Sequence, residues 1–92
     1  MQRTVYYLTH KDTRERLKYY KTLAGARIAQ RSRNARLGFG KRVERVEIED
    51  NWEVEQCIVD GVIVAATYCI VEDTIEQNDL LEDKSLGKDL LS

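Results

Sequence analysis

The chain has 92 residues, of which 42% are hydrophobic and 34% are charged, and its formal net charge is −1 at pH 7. This length suits one domain with a modest core, and the composition is that of a globular chain rather than a disordered one. The sequence has no apolar run of the roughly 20 residues that a membrane span needs, and no apolar signal segment at its start. We therefore expect a soluble, cytoplasmic protein that does not contact a membrane.

The first predicted element is a β-hairpin. Residues 3–9 are rich in β-branched and aromatic side chains, which favour a strand. The polar residues 10–13 are typical of a turn, and residues 16–21 alternate as a strand that returns beside the first.

A long helix follows this hairpin. Thr22 is placed to cap its first turn, and residues 23–37 are of types that helices tolerate or favour. Gly38 suits the left-handed position just past the helix end, with Phe39 folding back on the last turn. We expect the helix face that packs on the sheet to be formed by Ala24, Ile28 and Ala35.

A second β-hairpin is the strongest local pattern in the chain. Residues 43–49 alternate as a third strand, with an irregularity at residues 44–45 that indicates a bulge. Asp60-Gly61 then stands between the alternating runs 52–59 and 62–71. This dipeptide predicts a two-residue type I′ turn, because both of its central residues need a positive φ.

The register of the second hairpin assigns its side chains to two faces, because Val59 must face Val62. The face expected to pack under the helix carries Trp52, Val54, Ile58, Ile63, Ala65, Cys69 and Val71. The face expected to meet solvent carries Glu53, Glu55, Cys57, Val64, Ala66 and Tyr68. The helix is expected to contribute Leu23, Ile28 and Leu37 to the core.

Together these elements predict an α+β fold in the order ββαβββ. An antiparallel sheet of about five strands would carry one long helix on its face. We assign residues 1–73 to this single domain and residues 74–92 to an acidic, leucine-containing tail. Residues 74–77 match a capping box, so the tail begins a short helix, or else it is disordered until bound.

Few residues of the sequence are candidates for catalysis or metal binding. Cys57 and Cys69 fall on opposite faces, so we expect two free thiols, as in a reducing compartment, with Cys57 the more exposed. His10 and these cysteines match no known metal-site spacing. No nucleophile with a base and no phosphate-binding glycine loop is recognisable. We therefore predict no catalytic residue, no metal, no cofactor and no enzymatic activity.

The small net charge conceals a division between the two halves of the chain. Residues 1–46 hold 13 Lys and Arg against three acids, a balance of +10, and residues 47–92 hold two Lys against 13 acids, a balance of −11. Charge asymmetry of this kind indicates interaction surfaces. The two halves could equally neutralise each other within the fold, or support self-association.

The basic stretch of residues 26–45 and the acidic strands after it supply the candidate partner-binding residues. These are Arg27, Arg31, Arg33, Arg36, Lys41, Arg42, Arg45, Glu49, Glu53 and Glu55. The arginines, with tyrosines in the same half, suit nucleic acid, and both charge signs suit a protein partner. The arginines ring the helix rather than forming one stripe, which argues against nucleic acid.

The chain resembles the small accessory proteins of tailed bacteriophages. It shares their short length, a ββαβββ-like unit, tyrosines near the start and strong charge segregation, and residues 21–27 (KTLAGAR) after a strand are similar to theirs. The resemblance covers residues 4–71 and brings no functional residue with it. It implies a host-takeover or counter-defence role, in which a small rigid protein blocks a bacterial enzyme or defence complex.

The sequence thus leads to two functional hypotheses. The first is a non-enzymatic, phage-encoded inhibitor that binds a host protein through its charged surfaces. The alternative is a nucleic-acid-binding module that uses the basic helix and the loop after it.

Overall fold

One helix packs on an antiparallel sheet of six strands in the computed structural model, which describes residues 2–76. The elements in chain order are β1 (Gln2–His10), β2 (Arg16–Tyr20), α1 (Leu23–Arg36), β3 (Arg42–Glu49), β4 (Trp52–Val59), β5 (Val62–Ala65) and β6 (Tyr68–Glu76). The predicted α+β class is confirmed. The sixth strand arises because the run 62–71 divides at residues 66 and 67.

Because that run is divided, one edge of β4 pairs with two strands, β5 and β6. The strand order is β2-β1-β6-β4-β3, with β5 also paired to β4. Gln56 lies opposite Ala65, whereas Glu53 lies opposite Ile70, so two additional residues are accommodated between β5 and β6. The other edge of β6 pairs with β1 along the whole length of both strands.

The predicted turn of the second hairpin is confirmed. Asp60 and Gly61 have φ values of 51° and 78°, as a type I′ turn requires, and Val59 lies opposite Val62. The irregularities of β3 lie between Arg42 and Glu44 and between Glu47 and Glu49. The expected bulge at residues 44–45 is therefore displaced towards the start of the strand.

Both ends of α1 are capped as predicted. The Thr22 hydroxyl accepts a hydrogen bond from the Gly25 N–H at 3.1 Å. At the other end Gly38 has a φ of 92°, and its N–H bonds to the Ala35 carbonyl at 3.1 Å. The Phe39 N–H bonds to the Asn34 carbonyl at 3.2 Å, which completes a Schellman motif.

The expected packing face of the helix is wrong. Ala24 and Ala35 are exposed, and the side chain of Ile28 is 73% exposed. The buried helix residues are Ala26, Gln30 and Asn34, which share one face at spacings of four residues. Sequence reasoning did not include Gln30 and Asn34 in the packing face, because nothing local in the sequence shows that the sheet supplies hydrogen-bond partners for both amides.

A small apolar core lies beneath the first half of the helix. Leu8, Tyr20 and Ile70 are buried there against Ala26, and Leu23 is partly buried beside them. Leu37 is exposed, so of the three helix residues expected in the core only Leu23 joins it. Ala26 allows close approach of the helix to the sheet because its side chain is small.

The opposite face of the sheet carries a second apolar cluster. Val54, Cys69 and Val71 are buried there, with Trp52 packed against them, so these side chains share one face as predicted, but their expected packing under the helix is wrong. The helix lies on the other face, because the alternate residues of β4 are the ones that contact it. Ile58 and Ile63, also expected in the core, are exposed.

Cationic side chains cover part of this second cluster. The Arg14 guanidinium lies 4.2 Å from the centre of the Trp52 ring, and that of Arg16 lies 4.2 Å from the Tyr7 ring. Arg14 also pairs with Glu49 at 3.4 Å, which joins the β1–β2 loop to the end of β3. The two guanidinium groups thereby shield part of these aromatic rings from solvent.

The start of the predicted tail is part of the sheet. Residues 74–76 belong to β6, with Thr74 opposite Thr4 and Glu76 opposite Gln2, so the expected helix start at Thr74 is wrong. The rest of the predicted tail lies outside the described residues. Within residues 2–76, the helix is too short and too polar to cross a membrane.

Replacing Gly40 with alanine is expected to lower the free energy of unfolding by about 1–3 kcal/mol, the usual cost of overpacking. The Gly40 N–H donates to the Ile58 carbonyl at 3.1 Å, and a Cβ on residue 40 would collide with that oxygen. Urea unfolding of Gly40→Ala would measure the loss. Lys41→Ala, at the exposed neighbouring position, is the control. Equal stability of the Gly40 variant and the wild type would contradict the close approach.

Candidate functional site: an arginine–glutamate cluster and an open strand edge

Two carboxylates of β4 lie beneath the helix rather than in solvent. The Glu55 side chain is 0% exposed and that of Glu53 is 16% exposed, so their predicted position on a solvent face is wrong. They alternate with Val54 and point to the face that α1 covers. The physical reason is that arginines from α1 and β3 reach over the same face and neutralise them.

Glu53 is held by two arginines. The Arg27 side chain donates from Nε to Oε1 and from Nη2 to Oε2, each at 2.9 Å, in a bidentate bond. This hydrogen bonding to Glu53 raises the pKa of Arg27, in spite of the opposing effect of burial. Arg45 approaches the same carboxylate, with its Nε 3.2 Å from Oε1.

Glu55 sits among three guanidinium groups. Its Oε2 lies 3.8 Å from the nearest nitrogen of each of Arg31, Arg42 and Arg45. Its Oε1 accepts a hydrogen bond from Asn34 Nδ2 at 2.9 Å. Oε2 itself is buried and accepts no hydrogen bond from the described residues. Its contacts with the arginines are therefore Coulombic.

The cluster carries an excess of positive charge. Four arginines face two carboxylates, which leaves a formal balance of +2. Burial, together with the charges of Arg42 and Arg27, lowers the pKa of Arg45, and the two carboxylates do not fully offset this. The Arg45 Nε is buried and makes no hydrogen bond with any described residue.

Buried amides lock the helix to the sheet beside the cluster. Asn34 accepts from the Tyr68 N–H at 2.8 Å and donates to the Tyr68 carbonyl at 3.1 Å. Gln30 donates to the Glu53 carbonyl at 3.3 Å and to the Tyr68 carbonyl at 3.2 Å. These bonds fix the position of α1 over β4 and β6, and hence the position of the arginines that α1 carries.

Both cysteines are free, as predicted. Both are also buried, whereas we expect from the sequence that Cys57 is the more exposed of the two. Cys57 is buried because it faces the helix, where Arg31 Nη1 donates to its sulfur at 3.3 Å. Arg31 Nη2 also donates to the Phe39 carbonyl at 3.0 Å, which holds it in place. A basic group therefore lies directly beside the Cys57 sulfur. Burial raises the pKa of the Cys69 thiol to about 11.

Thiol titration is expected to find two thiols in the unfolded, unreduced chain, because the structure has two free cysteines. In the folded protein at pH 8 both should react slowly with an aromatic disulfide reagent, since neither sulfur is exposed. Single Cys57→Ser and Cys69→Ser variants assign each rate. Complete reaction of the folded protein on mixing would contradict the burial of these residues.

The arginine–glutamate cluster borders an open cleft of about 490 Å³. We call it the arginine cleft, and its walls include Arg27, Ile28, Arg31, Ser32, Arg42 and Arg45. The Arg42 and Arg45 side chains make no hydrogen bond with the described residues, only the ion pairs given above. Apart from the buried Arg45 Nε, their guanidinium donors can be reached by an anion.

The remaining sequence-predicted site residues lie apart from this cleft. Arg33 lies 5.6 Å from the Tyr68 ring centre, and Arg36 and Lys41 are exposed. Glu49 is exposed and paired with Arg14. The structure therefore brings together six of the ten predicted residues and separates the other four.

Sequence reasoning missed an apolar surface at the end of the β4–β5 hairpin. Ile58, Val62 and Ile63 are 42%, 59% and 56% exposed. Ile58 lies directly opposite Ile63, so their side chains form one cross-strand pair. In the sequence, the uncharged run Val62-Ile63-Val64-Ala65 is the pattern that could have indicated this surface, but Ile63 and Ala65 are predicted to lie in the core.

β5 also has an open hydrogen-bonding edge. The Ile58 N–H donates to the Lys41 carbonyl, and the Ile58 carbonyl accepts from Gly40, so both groups point away from β5. Opposed residues of antiparallel strands exchange both of their hydrogen bonds or neither. Ile63 therefore directs its N–H and C=O outwards, and β5 pairs with no described strand except β4.

Among residues 2–76, no three or more His, Cys, Asp or Glu side chains come together in a way that could hold a metal ion. Comparison of the chain with protein-family models, with curated proteins and with solved structures gave no match.

Proposed function

We propose that this chain is a non-enzymatic binding protein whose contact surface is the open edge of β5. The observation that supports this most is the combination, on the same four-residue strand, of exposed aliphatic side chains with backbone groups that pair with no strand in residues 2–76. Soluble proteins usually protect such an edge with charge, proline or a covering segment. Val62-Ile63-Val64-Ala65 has neither charge nor proline.

The mode of binding that fits this edge is strand addition. An extended segment of the partner would pair with the outward N–H and C=O of Ile63, and its side chains would pack on the Ile58–Ile63 pair. Main-chain hydrogen bonds would supply affinity and the isoleucines would supply selectivity. Val62 adds apolar area beside the turn.

The charged surfaces have a secondary part in this proposal. Arg27, Arg31, Arg42 and Arg45 are engaged with Glu53 and Glu55, so two of the seven positive charges of the basic stretch are neutralised internally. Arg36 and Lys41 are exposed and would steer association without carrying most of the affinity. This internal pairing also makes a nucleic-acid module the less supported alternative.

The resemblance to phage accessory proteins makes a bacterial host protein the partner that we propose. Strand addition by a small rigid chain would inhibit that protein by covering the edge or extended segment that its own function needs. A chain that acts in this way would be a host-takeover or counter-defence inhibitor.

Quantitative pull-down from bacterial lysate tests the proposal. The wild type is expected to recover a stoichiometric protein partner, and Ile63→Lys is expected to reduce recovery at least about tenfold, because a buried lysine at a strand interface costs more than 1.4 kcal/mol. Ile28→Lys makes the same chemical change at an exposed helix position and should bind like the wild type. Absence of a partner, or equal recovery by Ile63→Lys, would overturn the proposal.

A further inference from the structure

We infer that the arginine cleft binds a small phosphate monoester that carries an apolar or aromatic group. This inference is independent of the proposed function, because the cleft is formed by α1 and β3, whereas the proposed partner adds to β5 on the opposite edge of β4.

The first step is the charge of the cleft. Its four arginines outnumber the two carboxylates beneath them, and the formal balance is +2. A phosphate monoester carries about −1.5 to −2 at pH 7, so one such group would neutralise the excess, whereas a single carboxylate would not. Burial is the main cause of the lowered pKa of Arg45, and the neighbouring charges of Arg42 and Arg27 add to it.

The second step is the supply of hydrogen-bond donors. Arg42 is about one-third exposed, Arg45 is about one-quarter exposed, and neither donates a hydrogen bond to a described residue. The planar guanidinium group matches the oxygens of a phosphate in bidentate geometry. Ser32, on the helix wall of the cleft, adds a hydroxyl that can also donate.

The third step is the apolar wall and the size. Ile28 lines the cleft and is 73% exposed, so it offers aliphatic surface beside the guanidinium groups. The volume of about 490 Å³ is within the range of ligand sites for small molecules. A nucleoside monophosphate has a dianionic phosphate that can pair with the guanidinium groups and a ring that can pack against the aliphatic side chain of Ile28.

Calorimetric titration of the full chain with AMP, inorganic phosphate and adenosine tests the inference. AMP is expected to bind saturably with a Kd of about 1 mM or tighter, phosphate more weakly, and adenosine not at all. Arg42→Gln should weaken AMP binding about tenfold or more, since it removes charged donors. Arg36→Gln, an exposed helix arginine outside the cleft, should bind like the wild type.

Ser32→Asp provides a second variant that leaves every ion pair of the cluster in place. It puts a carboxylate on the cleft wall at an exposed helix position and should abolish AMP binding. The inference is overturned by absence of saturable binding at about 10 mM AMP. It is also overturned if Arg36→Gln loses as much affinity as Arg42→Gln, because binding would then follow the general positive charge.

Competition with single-stranded DNA distinguishes a terminal phosphate monoester from the phosphodiester backbone of a nucleic acid as the ligand. If the ligand is a monoester, a strand with a 5′-phosphate should displace AMP, and the same strand without it should not. Displacement of AMP by the strand that lacks the terminal phosphate would overturn the monoester assignment and identify the nucleic-acid backbone as the source.

Discussion

Replacing Glu55 with alanine is expected to lower the free energy of unfolding by about 3–5 kcal/mol, the range for removing one partner of a buried ion pair. The carboxylate is fully buried, and three guanidinium groups lie 3.8 Å from its Oε2. Without it, four arginines would share the single carboxylate of Glu53 under the helix. Urea unfolding followed by circular dichroism would measure the loss.

Two further variants separate charge from packing at this position. Glu55→Gln keeps the side-chain shape and an acceptor for Asn34 Nδ2 but removes the charge, so it should fall between Glu55→Ala and the wild type. Glu44→Ala removes an exposed carboxylate from β3 and should change stability by no more than about 0.5 kcal/mol. If Glu55→Ala were as stable as Glu44→Ala, the burial of Glu55 would be disproved.

Replacing Asn34 with alanine is expected to destabilise the fold by about 3 kcal/mol, because stranding a buried polar group costs roughly 1–3 kcal/mol. The Tyr68 N–H would lose its acceptor, and Glu55 Oε1 would lose its donor. The Tyr68 carbonyl would keep the bond from Gln30. Thermal and urea unfolding should agree on the size of the loss.

The matched control for Asn34 is Ser32→Ala on the exposed side of the same helix. Alanine has the higher helix propensity, so this variant should be neutral or slightly stabilising. Asn34→Leu should be no more stable than Asn34→Ala, since leucine strands the same groups. A stable Asn34→Leu variant would mean that the helix packs on the sheet through apolar contact, as the sequence alone suggested.

The features that could be predicted from sequence are those determined by a few neighbouring residues. Asp60-Gly61 requires positive φ at two adjacent positions, and the structure has them. Thr22 caps its own helix three residues on, and Gly38 closes the same helix at the other end. Each involves contacts within about one turn, so the identity of the local residues was sufficient.

The burial of the charged residues could not be predicted in this way. Arg27 and Glu53 are 26 residues apart, and only the crossing of α1 over β4 brings them together. Alternation along β4 separated its two faces correctly but could not show that both are covered. The aliphatic residues Ile58 and Ile63 were predicted to lie in the core for the same reason, although they are exposed on the face of the sheet away from the helix.

The candidate site was therefore predictable in composition but not in arrangement. Arg27, Arg31, Arg42 and Arg45 could be identified from the density of basic residues, and Glu53 and Glu55 from the acidic strand. The two sets meet because of the topology of the sheet. This agrees with the possibility that the basic and acidic halves of the chain neutralise each other within the fold. The balance of +2 follows only from counting the groups that touch.

The place of β1 in the sheet has a consequence for synthesis of the chain on the ribosome. β1 emerges first, yet its second neighbour is β6, the last described strand, with Gln2 opposite Glu76. Until residues 68–76 leave the exit tunnel, β1 has one open edge along its entire length, and Asn34 has no Tyr68 to bind. The sheet therefore cannot close until residues 68–76 have emerged. Its reliance on pairing between distant segments favours folding in milliseconds to seconds rather than microseconds.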